Sequence, residues 1–298
     1  MEKFKSGYVS LTGRPNVGKS TLLNAILGEK VAIVSPKPQT TRNRIVGVKT
    51  LPDAQIVFVD TPGIHKPKHK LGEIIVKEAS ETAKEADMIL FMVEPEMPGS
   101  GDKFIIEMLK DMNKPVFLLI NKADAVKKPL MLPVIDAYRG LYPFKEIMPI
   151  SALKADGIDL LLEPIVKYLP EGPKYYPDDI TTDQLERFMV SEIIREKIMR
   201  RTKEEIPHSV AVEITEWSER PAEQGAGAVF IRANIFVERE GQKGIIIGKG
   251  GERLKAVGTD ARIEIEKLLD AKVFLELWVK IKKDWRSDER ILKELGFK

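Results

Sequence analysis

The chain has 298 residues, 43% hydrophobic and 31% charged, with a formal net charge of +3 at pH 7. That composition suits a globular protein of roughly two domains and supplies no global field that would announce a nucleic-acid partner. There are no cysteines, so disulfides and thiolate-bound metal are excluded and a reducing cytoplasm is the natural compartment; no apolar run approaches the roughly 20 residues that span a bilayer.

Tyr8–Leu11 reads as a buried strand and Thr21–Leu27 as a helix ending at Gly28. Between them, Gly13-Arg14-Pro15-Asn16-Val17-Gly18-Lys19-Ser20 fits the phosphate-binding pattern G-x-x-x-x-G-K-[ST], running on into Thr21. A strand-to-helix turn of this kind aims backbone N–H groups and a helix N-terminus at phosphate oxygens. Lys19 is expected to span the β and γ phosphates of a nucleoside triphosphate, and the Ser20 hydroxyl to ligate Mg2+.

Residues 31–42 carry two prolines and a polar cluster. They read as a long loop that can order around Mg2+ and so report the γ-phosphate. Thr41, ahead of Thr40, is the choice for the second hydroxyl ligand; a threonine that merely opens the next strand is the alternative. Arg44–Thr50 and Gln55–Asp60 should pair antiparallel about residues 51–54. The second ends in Asp60-Thr61-Pro62-Gly63. A carboxylate at the tip of a buried strand is costly unless paired or metal-linked, so Asp60 is read as an Mg2+ ligand acting through water. Gly63 offers an N–H to the γ-phosphate and makes residues 64–71 a second switch, in which His65 and His69 are expected to be solvated.

Strands 87–93, 115–120 and 146–150 then alternate with helices 72–85, 102–111, 129–140 and 157–168, the pattern of an α/β, doubly wound, mostly parallel sheet. Such sheets bind ligands beyond the carboxyl ends of their strands. At one such end stands Asn121-Lys122-Ala123-Asp124, and at another Ser151-Ala152-Leu153. The Asp124 carboxylate can accept both the N1–H and the N2 amino hydrogens of guanine, which adenine cannot offer. Asn121 would brace the base and the neighbouring loops, the Lys122 stem would pack on the ring, and the Ser151 turn would give a backbone N–H to guanine O6. GTP/GDP is therefore favoured over the ATP of a P-loop ATPase or kinase.

This ordered set of motifs resembles a translation-factor-class P-loop GTPase, and the Pro15-Asn16 pair with Gln39-Thr40-Thr41-Arg42 is similar to the Era branch in particular. The resemblance implies hydrolysis of GTP to GDP and phosphate, with Lys19, Asn16, Thr41 and Gly63 at the reaction centre and a K+ ion held near Asn16. Ile64 stands where Ras-type enzymes have a water-orienting glutamine, so slow intrinsic turnover is expected.

Residues 1–170 thus form a GTPase domain. Residues 171–181, next to Pro170 and carrying Pro173 and Pro177, read as an extended, semi-stiff linker. Residues 182–298 form a second domain. It should open with a helix capped by Thr182 or Asp183 and running to about Lys203, whose basic face (Arg195, Arg200, Arg201, Lys203) is solvated or touches nucleic acid. Strands 208–217 and 229–238 follow. Then come Ile245-Ile246-Ile247-Gly248-Lys249-Gly250-Gly251, a helix over 252–269 and a strand over 272–281. The order resembles the α+β type II KH module, whose G-x-x-G clamp holds about four single-stranded nucleotides. Ile247, Gly248, Lys249, Gly250, Gly251, Arg253 and Lys255 are the expected RNA contacts, with the isoleucines as core or as an apolar floor under the bases. The tail Lys280–Arg286 reads as a solvated end anchored by Trp285, with RNA or membrane-surface contact as the alternative.

A GTPase domain followed by a KH domain is Era-family architecture. It implies a monomeric GTP-dependent switch in small ribosomal subunit assembly that binds the 3′ end of small-subunit (16S) rRNA. It also implies cytoplasmic residence, with peripheral contact at the inner membrane left open. A membrane-associated signalling GTPase and a GTP-regulated RNA scaffold with negligible turnover are the alternatives.

Overall fold

The computed structural model describes residues 3–37, 39–67, 70–203, 206–220 and 228–297. It divides into two units, Met1–Lys68 with Gly72–Asp183, and Gln184–Lys298 with His69–Leu71. The first contains β1 (Lys5–Gly13), α1 (Lys19–Leu27), β2 (Ile45–Thr50), β3 (Ala54–Asp60), all but the first two residues of α2 (Lys70–Glu85), β4 (Met88–Val93), α3 (Ser100–Lys110), β5 (Val116–Ile120), α4 (Met131–Arg139), β6 (Glu146–Pro149) and α5 (Asp159–Tyr168).

The six strands form one sheet in the order β2-β3-β1-β4-β5-β6. Only β2 runs antiparallel, joined to β3 by the expected turn. β4 and β5 are buried at every position, as interior strands covered on both faces must be. Side chains of α2, α3 and α4 pack with Phe91 and Leu118 on one face. Tyr168 of α5 stacks edge-on against Phe117, which points to the other face because strand neighbours alternate. This winding brings the carboxyl ends of β1, β3, β4, β5 and β6 to one edge, where every phosphate and base motif lies.

Residues 171–183 fold with the first unit. Thr181 O accepts from Val48 N–H at 2.8 Å and the Thr182 hydroxyl donates to Val46 O at 2.7 Å, so this segment runs beside β2.

The second unit contains α6 (Glu186–Arg201), α7 (Ile206–Ser209), β7 (Ala211–Arg220), β8 (Ala228–Val237), α8 (Glu240–Ile247), α9 (Glu252–Leu269), β9 (Lys272–Ile281) and α10 (Glu289–Glu294). Its sheet has the order β7-β8-β9, with β7 antiparallel and β9 parallel to β8. Alternate residues of the strands meet α6, α8 and α9 in one core built on Ile194, Ile231, Ile235, Ile246 and Ile265.

Three expectations change here. The cap of α6 is Leu185, without a side-chain cap, because Thr182 bonds β2 and Asp183 accepts from the Tyr176 hydroxyl. Residues 206–209 are helical, so the first strand starts later. Arg195 is not solvated: it is 2% exposed and paired with Glu192, while Arg200 and Arg201 pair with Glu196 and Asp260.

Candidate functional site

The turn between β1 and α1 depends on Gly18, at φ 104°. A Cβ there would fall 2.2 Å from Asn121 Nδ2, so both backbone conformation and space demand glycine. Asn121 sits so close because its Nδ2 donates to Val17 O at 2.7 Å while its Oδ1 accepts from Ala152 N–H at 2.9 Å. One side chain thereby ties the phosphate turn, the β5 end and the β6 end together.

These loops enclose a cleft of about 800 Å3. Pro15, Asn16, Gly18, Lys19, Ser20, Thr21, Thr40, Thr41, Gly63, Asn121, Lys122, Asp124 and Leu153 line it. Gly13, Arg14, Val17, Asp60, Thr61, Pro62, Ser151 and Ala152 are not among the lining residues. Thr61 donates its hydroxyl to Leu11 O, and Ser151 Oγ donates to Asp124 Oδ1 at 2.7 Å, which holds the carboxylate at the base end. The Ala152 N–H is taken by Asn121, leaving Leu153 as the residue of that turn that lines the cleft.

At the phosphate end, Lys19 Nζ donates to Gly13 O at 3.3 Å and Arg14 O at 3.1 Å. Ser20 Oγ donates to Asp60 Oδ2 at 2.5 Å and lies 2.8 Å from Thr41 Oγ1. Thr40 turns its hydroxyl to Lys37 O at 2.6 Å instead. Burial pushes the Asp60 carboxyl up to about 6, against the pull of Lys19, and pushes the Lys19 ammonium down to about 8, against the pull of Asp60. Asp60 Oδ1 is buried without a hydrogen-bond partner. Two hydroxyls and an unsatisfied carboxylate oxygen are the donor set that suits Mg2+, a hard cation that keeps part of its water shell.

Ile64 donates its N–H to Gly13 O at 3.0 Å, and its side chain, 2% exposed, belongs to the core between α2, α3 and β4. His65 is half-buried rather than solvated: Nδ1 lies 3.0 Å from Gly63 O and Nε2 2.7 Å from Gln39 Nε2. His69 lies outside the described residues. Sequence reasoning missed Ile33, Val34, Ser35, Pro36, Gln39, Glu94 and Ala125 as lining residues. Glu94 had one signal available, an acidic residue directly after a buried strand.

In the second unit α8 breaks at Gly248, where φ is 75° and ψ 177°, and Gly250 and Gly251 also have positive φ. A Cβ on Gly248 would meet Arg253 Cβ at 2.8 Å. Lys249 and Lys255 are exposed. The Arg253 guanidinium donates to Ile245 O and so braces the end of α8 beside the clamp. Of the three isoleucines only Ile246 is fully buried; Ile247 packs on the core edge and Ile245 is 45% exposed. A groove of about 420 Å3 continues from Gly251 and Lys255, two of the expected contacts, past Leu254, Gly258 and Arg262 to Leu275 and Leu277 of β9, five residues the motif alone does not indicate.

Residues 8–122 match the family model described as 50S ribosome-binding GTPase, and residues 205–286 that of the KH domain. The chain is 55% identical over 295 residues to the GTPase Era of Alkaliphilus metalliredigens, covering 99% of each. It is 54% identical to that of Ruminiclostridium cellulolyticum, covering 99% of this chain and 98% of the relative. A crystal structure of Era in complex with MgGDPNP and nucleotides 1506–1542 of 16S ribosomal RNA superposes with a TM-score of 0.94 at 46% identity over 99% of both chains. A variant of Aquifex aeolicus Era bound to GDP·AlF4− gives the same score, identity and coverage.

Proposed function

The chain belongs to the Era family of GTPases, and from that premise we propose that GTP hydrolysis in the cleft controls single-stranded RNA held at the Gly248–Gly251 clamp. The observation that carries this reading is the convergence of a phosphate end (Lys19, Ser20, Thr41, Asp60) and a base end (Asn121, Asp124) on one cleft. The Era relative solved with MgGDPNP also holds nucleotides 1506–1542 of 16S rRNA. By that relationship the RNA partner of this chain is the 3′ end of small-subunit rRNA, and its task lies in small-subunit assembly. The description naming the 50S ribosome belongs to a model that spans residues 8–122, whereas the 16S complex matches 99% of the chain.

Lys19 exchanges the carbonyls of Gly13 and Arg14 for β and γ phosphate oxygens. The Ser20 and Thr41 hydroxyls, and Asp60 through water, hold Mg2+, which when bound neutralises charge on those oxygens. Asp124 accepts from guanine N1–H and the N2 amino group. Ile64 faces the core and offers water no hydrogen bond, so turnover depends on Lys19, the Gly63 N–H and a monovalent cation near Asn16. Asn16 lines the cleft, and its Nδ2 donates to Pro36 O at 2.9 Å, which ties the phosphate turn to the loop over residues 31–42; K+ coordination by the Asn16 amide oxygen is carried by the family relationship.

Phosphate release from GTP but not ATP, in Mg2+, tests the cleft. Equal rates in NaCl and KCl would remove the K+ role, and identical RNA dissociation constants with GDP and GDPNP would remove the coupling. We place the protein in the cytoplasm. Among the described residues no helix is long and apolar enough to cross a membrane. In the tail Lys282 pairs with Glu294, Arg286 with Glu238, and Trp285 is buried, which supports an anchored end over a membrane-surface contact.

A further inference from the structure

Two cations from different loops converge on carboxylates that phosphate and base recognition leave unassigned. Arg14, in the phosphate turn, donates Nε to Asp102 Oδ1 at 2.8 Å and brings Nη2 to 3.8 Å from Glu94 Oε2. Glu94, directly after β4, also pairs with Lys122 of the base turn. Asp102 is 1% exposed and accepts in addition from Gly99 N–H at 3.0 Å and from the buried Tyr138 hydroxyl. A carboxylate that deep is tolerated only with fixed partners, which makes it a firm post on α3 for the Arg14 side chain.

Glu94 lines the cleft that takes an anionic substrate. A carboxylate there repels phosphate unless cations neutralise it, and Arg14 and Lys122 flank it from the two loops that a nucleotide must touch. We propose that Glu94, backed by Asp102, is a positioning residue that sets the spacing between the phosphate turn and the base turn through the chain Lys122–Glu94–Arg14–Asp102. A nucleotide engages both turns at once, so a preset spacing removes an ordering cost from binding. The gain applies to GDP and GTP alike, because both ligands bridge the two turns. This inference rests on guanine nucleotide occupying the cleft.

The test uses the full chain, with release of a fluorescent GDP analogue followed by stopped flow and GTP hydrolysis at steady state. Glu94→Gln is expected to speed release about threefold to tenfold, the scale of a half-buried charge-assisted pair, and to raise KM for GTP by a similar factor while kcat stays within about twofold. The difference from wild type should shrink as salt rises from about 0.05 to about 0.5 M, because screening weakens the same pairs in the parent. Combining Glu94→Gln with Arg14→Lys should add little to the larger single effect, since both break one chain. Arg14→Lys alone, which keeps the charge and loses the two-sided fork, serves if Glu94→Gln fails to fold. Release rates equal to wild type, a loss confined to kcat, or additive effects of the pair overturn the proposal. A wild-type chain that binds no GDP overturns the reading of the cleft itself.

Discussion

Lowering the pH from 7 to 5 is expected to weaken Mg2+-dependent nucleotide binding through a single carboxylate. Burial pushes Asp60 up to about 6, and its Oδ1 has no hydrogen-bond partner, so the ionised form that a metal needs is the costly one in the nucleotide-free protein. With that value about half of the molecules carry the proton at pH 6 and about nine-tenths at pH 5. Binding must expel it. Affinity should therefore fall about tenfold, or roughly 1.4 kcal/mol, between pH 7 and pH 5, with about half a proton released per event at pH 6. The alkaline limb has the opposite sign. Burial lowers Lys19 to about 8 and phosphate favours its charged form, so binding takes up about half a proton at pH 8 and weakens above it. Folding feels the same shifts. Asp60 starts from 3.8, so its cost to the nucleotide-free fold grows as pH rises from there to about 6; Lys19 starts from 10.5, so its cost disappears as pH rises from about 8 to that value. Between about 6 and about 8 both costs are present, and nucleotide with Mg2+ relieves them together. Calorimetric titration in two buffers of different ionisation enthalpy counts the protons, after subtraction of the nucleotide's own titration. EDTA should abolish the acid-side release and spare the alkaline uptake. Affinity that is flat from pH 7 to pH 5, or acid-side release that persists in Asp60→Asn, refutes the reasoning.

Asp124→Asn removes an acceptor of two guanine hydrogens, so GTP affinity should fall by roughly 3 kcal/mol or more and preference should move to xanthine nucleotides, as read by nucleotide competition. Gly248→Ala forces a side chain into φ 75° against Arg253. It should destabilise the clamp by about 1–3 kcal/mol and weaken short RNA strands while GTP turnover without RNA is retained. Trp285→Ala deletes a fully buried ring that donates Nε1–H to Ser209 O at 3.0 Å and stacks on Phe297. Denaturant unfolding of the second unit should register a loss of about 3–5 kcal/mol.

Much of the molecule was legible before any coordinates, and for a local reason. A phosphate turn, a guanine-reading turn and a G-x-x-G clamp each need particular residue types at adjacent positions, so Gly13–Ser20, Asn121–Asp124 and Gly248–Gly251 announce themselves. The strand-helix alternation of the first unit is likewise written in short apolar runs, and β9 has the bounds expected for it, Lys272–Ile281. What was not legible depends on partners brought from far along the chain. Nothing near Arg14 points to Asp102, nothing near Lys122 points to Glu94, and nothing in the basic face of α6 says that Arg195 is buried against Glu192. Nothing near Arg253 says that the break in α8 places Ile245 O within its reach. Thr182 and Asp183 have ideal capping chemistry, yet β2 and Tyr176 compete for their oxygens and win. Local stereochemistry is set by immediate neighbours and so survives in the sequence. The depth of Asp102, the inward turn of Ile64 and the pairing of each charge are set by how elements stack, and only the tertiary structure decides them.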